Sequence, residues 1–171
     1  MIVVMAGLPG TGKSTLSRAL AEELAGVVLN KDVLRADLFP KEFVEYSTEQ
    51  DDFVQDLMLR TADYILLRNP RATVFFDGRT FSRTYQIESV IATAVKLGTP
   101  WRIIECVCPE NVARRRIERA RRHPAKNRTI ELYLRIRDQF EEIGYPKLVV
   151  DTGGAMELPL TAAREYLKRS D

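Results

Sequence analysis

Met1-Ile2-Val3-Val4-Met5-Ala6-Gly7-Leu8-Pro9-Gly10-Thr11-Gly12-Lys13-Ser14 opens the chain, and its last eight residues fit G-x-x-x-x-G-K-[ST]. The apolar run before Gly7 predicts a buried strand. The residues after Lys13 carry apolar side chains at helical spacing, at Leu16, Ala19, Leu20 and Leu24. Strand, glycine-rich turn and helix together aim backbone N–H groups and a helix N-terminus at a polyphosphate. Gly7, Gly10 and Gly12 let the backbone wrap closely around the anion. Lys13 has the reach for the β- and γ-phosphates of a nucleotide such as ATP, and the Ser14 hydroxyl can ligate Mg²⁺. Thr11 and Thr15 complete the candidate nucleotide-binding set in this segment.

Outward from this loop, apolar runs alternate with helical patterns. Strands are expected near 2–6, 27–29, 73–77, 101–107 and 147–151. Helices are expected near 13–25, 33–38, 49–69, 83–97, 109–121, 129–142 and 160–169, several closed by glycine or proline. The alternation predicts an α/β fold: a doubly wound, five-stranded parallel sheet with helices on both faces, and ligands at the carboxyl ends of its strands. The 171 residues are expected to form one domain over 1–171, with a helical lid over about 109–128. With 45% hydrophobic and 29% charged residues the chain reads as globular, and a net charge of +2 does not by itself point to nucleic acid. No apolar stretch reaches membrane-spanning length, and the first apolar run lacks a signal-peptide pattern. Two cysteines, Cys106 and Cys108, and one histidine, His123, are too few for a zinc site. The expected compartment is the cytoplasm, with Cys106 and Cys108 packed on a core strand and His123 an end cap.

Three further groups fall at the predicted strand ends. In Asn30-Lys31-Asp32-Val33-Leu34-Arg35, Asp32 is expected to cap the following helix, and Arg35 shares its face three residues on. A carboxylate there can take a proton from an acceptor hydroxyl, and the arginine can hold an anionic group on that acceptor. A plain N-cap with an ion pair would use the same residues. In Val74-Phe75-Phe76-Asp77-Gly78-Arg79-Thr80, Asp77 ends an apolar strand, where a second carboxylate can polarise a Mg²⁺-bound water; an Asp-Gly turn alone would look the same. Arg79 and Arg83 follow it and can face either substrate. The third group is Arg114 to Arg128, where eight of fifteen residues are Lys or Arg. Arg115, Arg119 and Arg122 share one helical face, and Ala113, Ile117 and Ala120 share the other. The reading is either a solvated basic face or a lid that brings an arginine to the phosphates.

With these residues in place, the chain resembles P-loop kinases of the AAA_33 (zeta-toxin-like) group. The pattern is most similar to the kinase modules of polynucleotide 5′-hydroxyl kinases. The resemblance rests on Gly7–Ser14, Asp32-x-x-Arg35, Asp77-Gly78-Arg79-Thr80 and the arginine-rich helix. It implies an ATP- and Mg²⁺-dependent phosphotransferase acting on an acceptor hydroxyl, here a polynucleotide or nucleotide 5′-hydroxyl. It further implies Asp32 as general base, Arg35 on an acceptor phosphate, a lid arginine from Arg114–Arg122, and Thr152 and Gly153 in a segment beside the adenine. The stretch 42–56 holds Glu42, Glu45, Glu49, Asp51, Asp52 and Asp56 with no Lys or Arg. A path for a polynucleotide favours basic residues, so a small-molecule acceptor (a nucleoside, a sugar acid or an antibiotic hydroxyl) stays open. A non-catalytic nucleotide switch fits less well. Asp151-Thr152-Gly153-Gly154 matches D-x-x-G, but Asn30-Lys31-Asp32-Val33 precedes it and does not match N-K-x-D.

Overall fold

Every residue of β1 (Ile2–Ala6) is buried, so this strand is covered on both faces, as a strand inside a parallel sheet must be. The computed structural model describes residues 1–119, 127 and 129–169. β1 is followed by α1 (Lys13–Leu24), β2 (Val27–Asn30), α2 (Lys31–Leu38), a 3₁₀ turn (Lys41–Phe43), α3 (Thr48–Arg68), β3 (Val74–Asp77) and α4 (Thr84–Lys96). Then come β4 (Trp101–Val107), α5 (Glu110–Arg119), α6 (Ile130–Asp138), β5 (Leu148–Asp151) and α7 (Glu157–Lys168). The five strands pair in the order β2-β3-β1-β4-β5, all parallel. This is the expected doubly wound α/β sheet with helices on both faces.

The period of two along β1 sorts its side chains into two cores. Ile2, Val4 and Ala6 face a cluster built with Val54, Met58 and Ala62 of α3 and Ile87 and Val90 of α4. Val3 and Met5 face a second cluster with Leu16 and Leu20 of α1 and Ala163 and Leu167 of α7. With each face covered by helices, ligands reach the sheet at its strand ends. The carboxyl ends of β1, β2 and β3 therefore open together on one side. No described helix is long and apolar enough to cross a membrane.

Three boundaries differ most from expectation, each for a local reason. α2 starts at Lys31 because Asn30, not Asp32, is its cap: the Asn30 Oδ1 accepts from the N–H groups of Asp32 and Val33. Asp32 lies inside the first turn with its carboxylate released from capping. α6 stops at Asp138 because Phe140, Ile143 and Tyr145 of the following segment pack on the sheet core. α7 starts at Glu157, since Pro159 falls in the first turn, where its missing N–H costs nothing. Cys108 lies beyond the end of β4 and packs against the small cluster of Ala113, Ile117 and Tyr133, whereas Cys106 is in the sheet core. Burial pushes the Cys106 thiol up to about 12, which removes it as a nucleophile. Arg121, Arg122 and His123, and with them part of the expected lid, lie outside the described residues.

Candidate active site

The loop between β1 and α1 has the backbone that its glycines predict. Gly7, Gly10 and Gly12 all have positive φ, at 129°, 84° and 83°. Steric contact adds to this need: a Cβ on Gly7 would overlap the Cys106 carbonyl oxygen, and one on Gly10 would lie 2.7 Å from the Ala113 carbonyl oxygen. Gly12 caps α1 without any side-chain bond, and the first turn of α1 has no acidic residue. Its N–H groups and positive dipole end are thus left for an anion. Lys13 arches over the loop and donates to Gly7 O at 2.7 Å and Leu8 O at 2.8 Å. The Thr11 hydroxyl donates to Leu8 O and braces the turn. Pro9, Gly12, Lys13, Ser14 and Thr15 line one end of a cleft of about 970 Å³, which has room for a nucleotide and a second substrate.

Asp77 is fully buried at the end of β3. The register sets Asn30 beside it on β2, and Asn30 Nδ2 donates to Asp77 Oδ2 at 2.6 Å. The other oxygen, Oδ1, is buried without a partner. Gly78 makes this junction possible: with φ 83° it passes so close that a Cβ would lie 2.8 Å from Lys31 N and 2.9 Å from Asn30 Oδ1. Among the described residues no three His, Cys, Asp or Glu side chains gather as a metal cage. Mg²⁺ needs none, because it keeps several waters and takes phosphate oxygens. A free buried carboxylate oxygen at Asp77 and the Ser14 hydroxyl in the cleft fit that donor set.

The far end of the cleft holds three buried cations. Lys31, Arg35 and Arg79 are 7%, 2% and 4% exposed. All three are committed to carboxylates. Lys31 meets Asp51 at 2.8 Å and Asp32 at 3.6 Å. Arg35 pairs with Asp51 and, at 3.4 Å, with Asp32. Arg79 donates to Asp52 at 2.6 Å and to Gln55 Oε1 at 2.8 Å. Burial lowers the Lys31 ammonium to about 8, against the pull of Asp32. Removing one partner of a buried pair costs about 3–5 kcal/mol, so Arg35 is anchored between Asp32 and Asp51. Asp32 lines the cleft beside Tyr46 and Val33.

α5 brings a different arginine to the phosphate loop from those its sequence suggests. Arg115 and Arg119 are exposed, and neither lines the cleft. Arg116 donates to Gly10 O at 3.4 Å, to Thr152 Oγ1 at 3.3 Å and to Thr152 O at 2.6 Å. Ala113 and Ile117 are buried as expected, and Arg116 flanks that stripe, one residue before Ile117. Its position at the edge of the packed face was the signal that would have found it. From α6, Arg135 lines the cleft as well. Thr152 is fully buried and donates to Thr11 O at 2.6 Å. It holds the loop from behind, and Gly153 packs against Pro109; neither lines the cleft. Lys31 and Asp51 also line the cleft, and Asp52 pairs with Arg79 beside it; the sequence reading gave none of the three a role there. The acidic stretch was visible in the sequence, but not the cations it neutralises.

The AAA_33 family, described as an AAA domain, matches residues 2–143. The chain belongs to the AAA_33 family. The L-seryl-tRNA(Sec) kinase of Methanococcus maripaludis is 30% identical over 56 residues, which are 33% of this chain and 22% of that protein's length. The chain therefore spans far less than the whole of that relative. Solved structures match nearly end to end. Chaetomium thermophilum Kti12, in complex with ADP-AlF3, superposes with a TM-score of 0.75 at 16% identity, over 98% of this chain and 97% of that one. The Mycobacterium tuberculosis APS kinase, in complex with AMPPNP and APS, gives 0.73 at 16% identity over 98% and 97%. This AAA_33 chain has the fold of the P-loop kinases.

Two outcomes follow from this geometry. Asn30→Ala should cost about 1–2 kcal/mol in urea unfolding through the lost α2 cap, and should also weaken Mg²⁺-dependent ATP binding by freeing Asp77. Unchanged Mg²⁺ dependence in the folded variant would separate Asp77 from the metal. Arg116→Ala and Arg135→Ala should each lower kcat at least tenfold, and Arg115→Ala and Arg119→Ala should stay within about twofold of wild type. Steady-state kinetics on the four variants decide it; equal effects would return the role to the exposed face.

Proposed function

We propose that this chain is an ATP-dependent kinase that moves the γ-phosphoryl group of ATP to a hydroxyl of a small acceptor. The observation that carries this reading is the placing of Asp32. Its carboxylate, relieved of capping by Asn30, stands in the same cleft as Lys13 and Ser14. A nucleotide-binding module that only senses ATP needs the loop but no carboxylate at this point.

The residues divide the chemistry among them. Loop N–H groups, the α1 terminus and Lys13 hold the β- and γ-phosphates. Ser14 and Asp77 would hold Mg²⁺, which neutralises developing charge on the phosphates when bound. Asp32 takes the proton from the acceptor hydroxyl as its oxygen bonds to the γ-phosphorus and the bond to ADP breaks. Arg116 and Arg135 approach from the two helices that flank residues 120–128 and fit the part of the lid arginines. Positioning and electrostatics do most of the work in such a transfer.

A polynucleotide or nucleotide 5′-hydroxyl is the acceptor that the resemblance implies. The cleft favours the small-molecule alternative. Asp51 and Asp52 of α3 stand where strand phosphates would need cations, and they already hold Lys31, Arg35 and Arg79. A small acceptor needs no basic track beyond the reactive end. The reading places the enzyme in the cytoplasm, where ATP and reduced cysteines are both maintained.

Transfer of labelled γ-phosphate to a panel of hydroxyl compounds tests the proposal. Lys13→Ala should abolish transfer with the fold intact by circular dichroism. Asp32→Asn should cut the rate by roughly 10²–10⁴ and leave ATP affinity nearly unchanged. Because Asn30 supplies the cap, the second substitution keeps the α2 cap and alters only the ion pairs of Asp32 with Lys31 and Arg35. A rate within a few-fold of wild type for either variant would remove the kinase reading.

A further inference from the structure

The acceptor end of the cleft is a charge-balanced site. Lys31, Arg35 and Arg79 bring three positive charges, and Asp32, Asp51 and Asp52 bring three carboxylates that touch them. The pairing is cross-wise, not incidental. Asp51 bridges Lys31 and Arg35, so one carboxylate from the first turn of α3 serves two cations of α2. Asp52, the next residue, serves Arg79 from the end of β3 and also meets the Tyr85 hydroxyl at 3.2 Å. Of the remaining cations in the cleft, Lys13, Arg18 and Arg116 belong to the loop and its helix, where ATP phosphates would answer them. Arg83 is paired with Glu141 at 3.1 Å, and Arg135 stands exposed on α6.

An anionic group on the acceptor could reach these guanidinium groups only by expelling Asp51 or Asp52. The expelled carboxylate would then face the incoming anion and Asp32 at close range. Like charges at such range are strongly disfavoured. A neutral acceptor meets no such conflict. Val33 and Tyr46, 37% and 36% exposed, also line the cleft and offer apolar contact.

We infer that the acceptor is an uncharged hydroxylated small molecule, and that Asp51 and Asp52 set this specificity by occupying the cations that an anionic acceptor would need. The inference rests on the kinase reading above and narrows it. Asp51 and Asp52 are specificity residues: they reject an anion and do not take part in the transfer.

The test measures kcat/KM for matched acceptor pairs that differ by one anionic group: a hexose and its hexonate, a nucleoside and its 3′-monophosphate. Wild type should favour the neutral member of a pair at least tenfold. Asp51→Asn should shrink that ratio at least tenfold, chiefly through a lower KM for the anionic member. Asp51→Glu should restore it. If Asp51→Asn does not fold, Asp52→Asn, at the more exposed pair, should shrink the ratio in the same direction. A wild-type preference for the anionic member, a ratio that ignores both substitutions, or no product from any neutral member overturns the inference. Slow ATP hydrolysis to water, assayed alongside with Lys13→Ala as the blank, reports the kinase reading separately, since it needs no acceptor. Hydrolysis that persists with anionic acceptors preferred removes this inference alone; hydrolysis equal to the blank removes both.

Discussion

A buried cation has to be paired, and this rule organises the part of the cleft built by α2, α3 and the end of β3. Taking an ammonium or guanidinium out of water is expensive unless a carboxylate goes with it. α2 puts Lys31 and Arg35 one turn apart on its inner face, and the end of β3 adds Arg79. α3 therefore has to present acids where they meet, and it does so near its start with Asp51 and Asp52. The position of α3 over the sheet is fixed by Val54, Met58 and Ala62 in the core below. One helix thus closes a hydrophobic face with one side and neutralises a polar cleft with its start.

The nucleotide half obeys a different constraint, close backbone approach. The loop can wrap an anion only because its glycines accept positive φ and leave space against β4 and α5. The same closeness lets Arg116 and Thr152 bond to the loop backbone at Gly10 and Thr11. β5 and α5 therefore brace the loop from behind, and movement of α5 changes the bonds made to Gly10. The two halves meet at Asn30, which caps α2 with its oxygen and holds Asp77 with its nitrogen. A single amide sets the first turn of α2, which carries Asp32, relative to Asp77.

The fold was legible because its signals are local. A strand run, a glycine-rich turn and an amphipathic helix lie consecutively at Met1–Leu24, and the parallel sheet follows from the repeated alternation. The loop residues were legible for the same reason. Asp32 and Asp77 were singled out because they follow strand ends, where ligands meet such sheets, and the structure brings both to that edge of the sheet. What was not legible depends on long-range partners. Asp32 read as a cap because Asn30 and Asp32 are both good caps, and only the geometry of the Asn30–Asp77 bond decides between them. Arg35 read as free for an anion because Asp51, sixteen positions away, is its partner only in three dimensions. Arg115 and Arg119 were preferred to Arg116 by the expectation that a functional arginine lies opposite the packed face.

The placing of Arg116 has a physical reason that applies beyond this chain. A side chain opposite the packed stripe of a helix points to solvent, where a guanidinium is screened and free to move. One at the border of the stripe runs its apolar stem along the neighbour and delivers its head group to the neighbour's backbone. Arg116 does this to the loop that would hold ATP, next to Gly12 itself. An arginine placed so is already oriented before any substrate arrives, and little further ordering is needed when phosphates enter beside it. The catalytic candidates on a lid helix are therefore to be sought along the edges of its apolar stripe, and the middle of its charged face is the place where charge serves solubility.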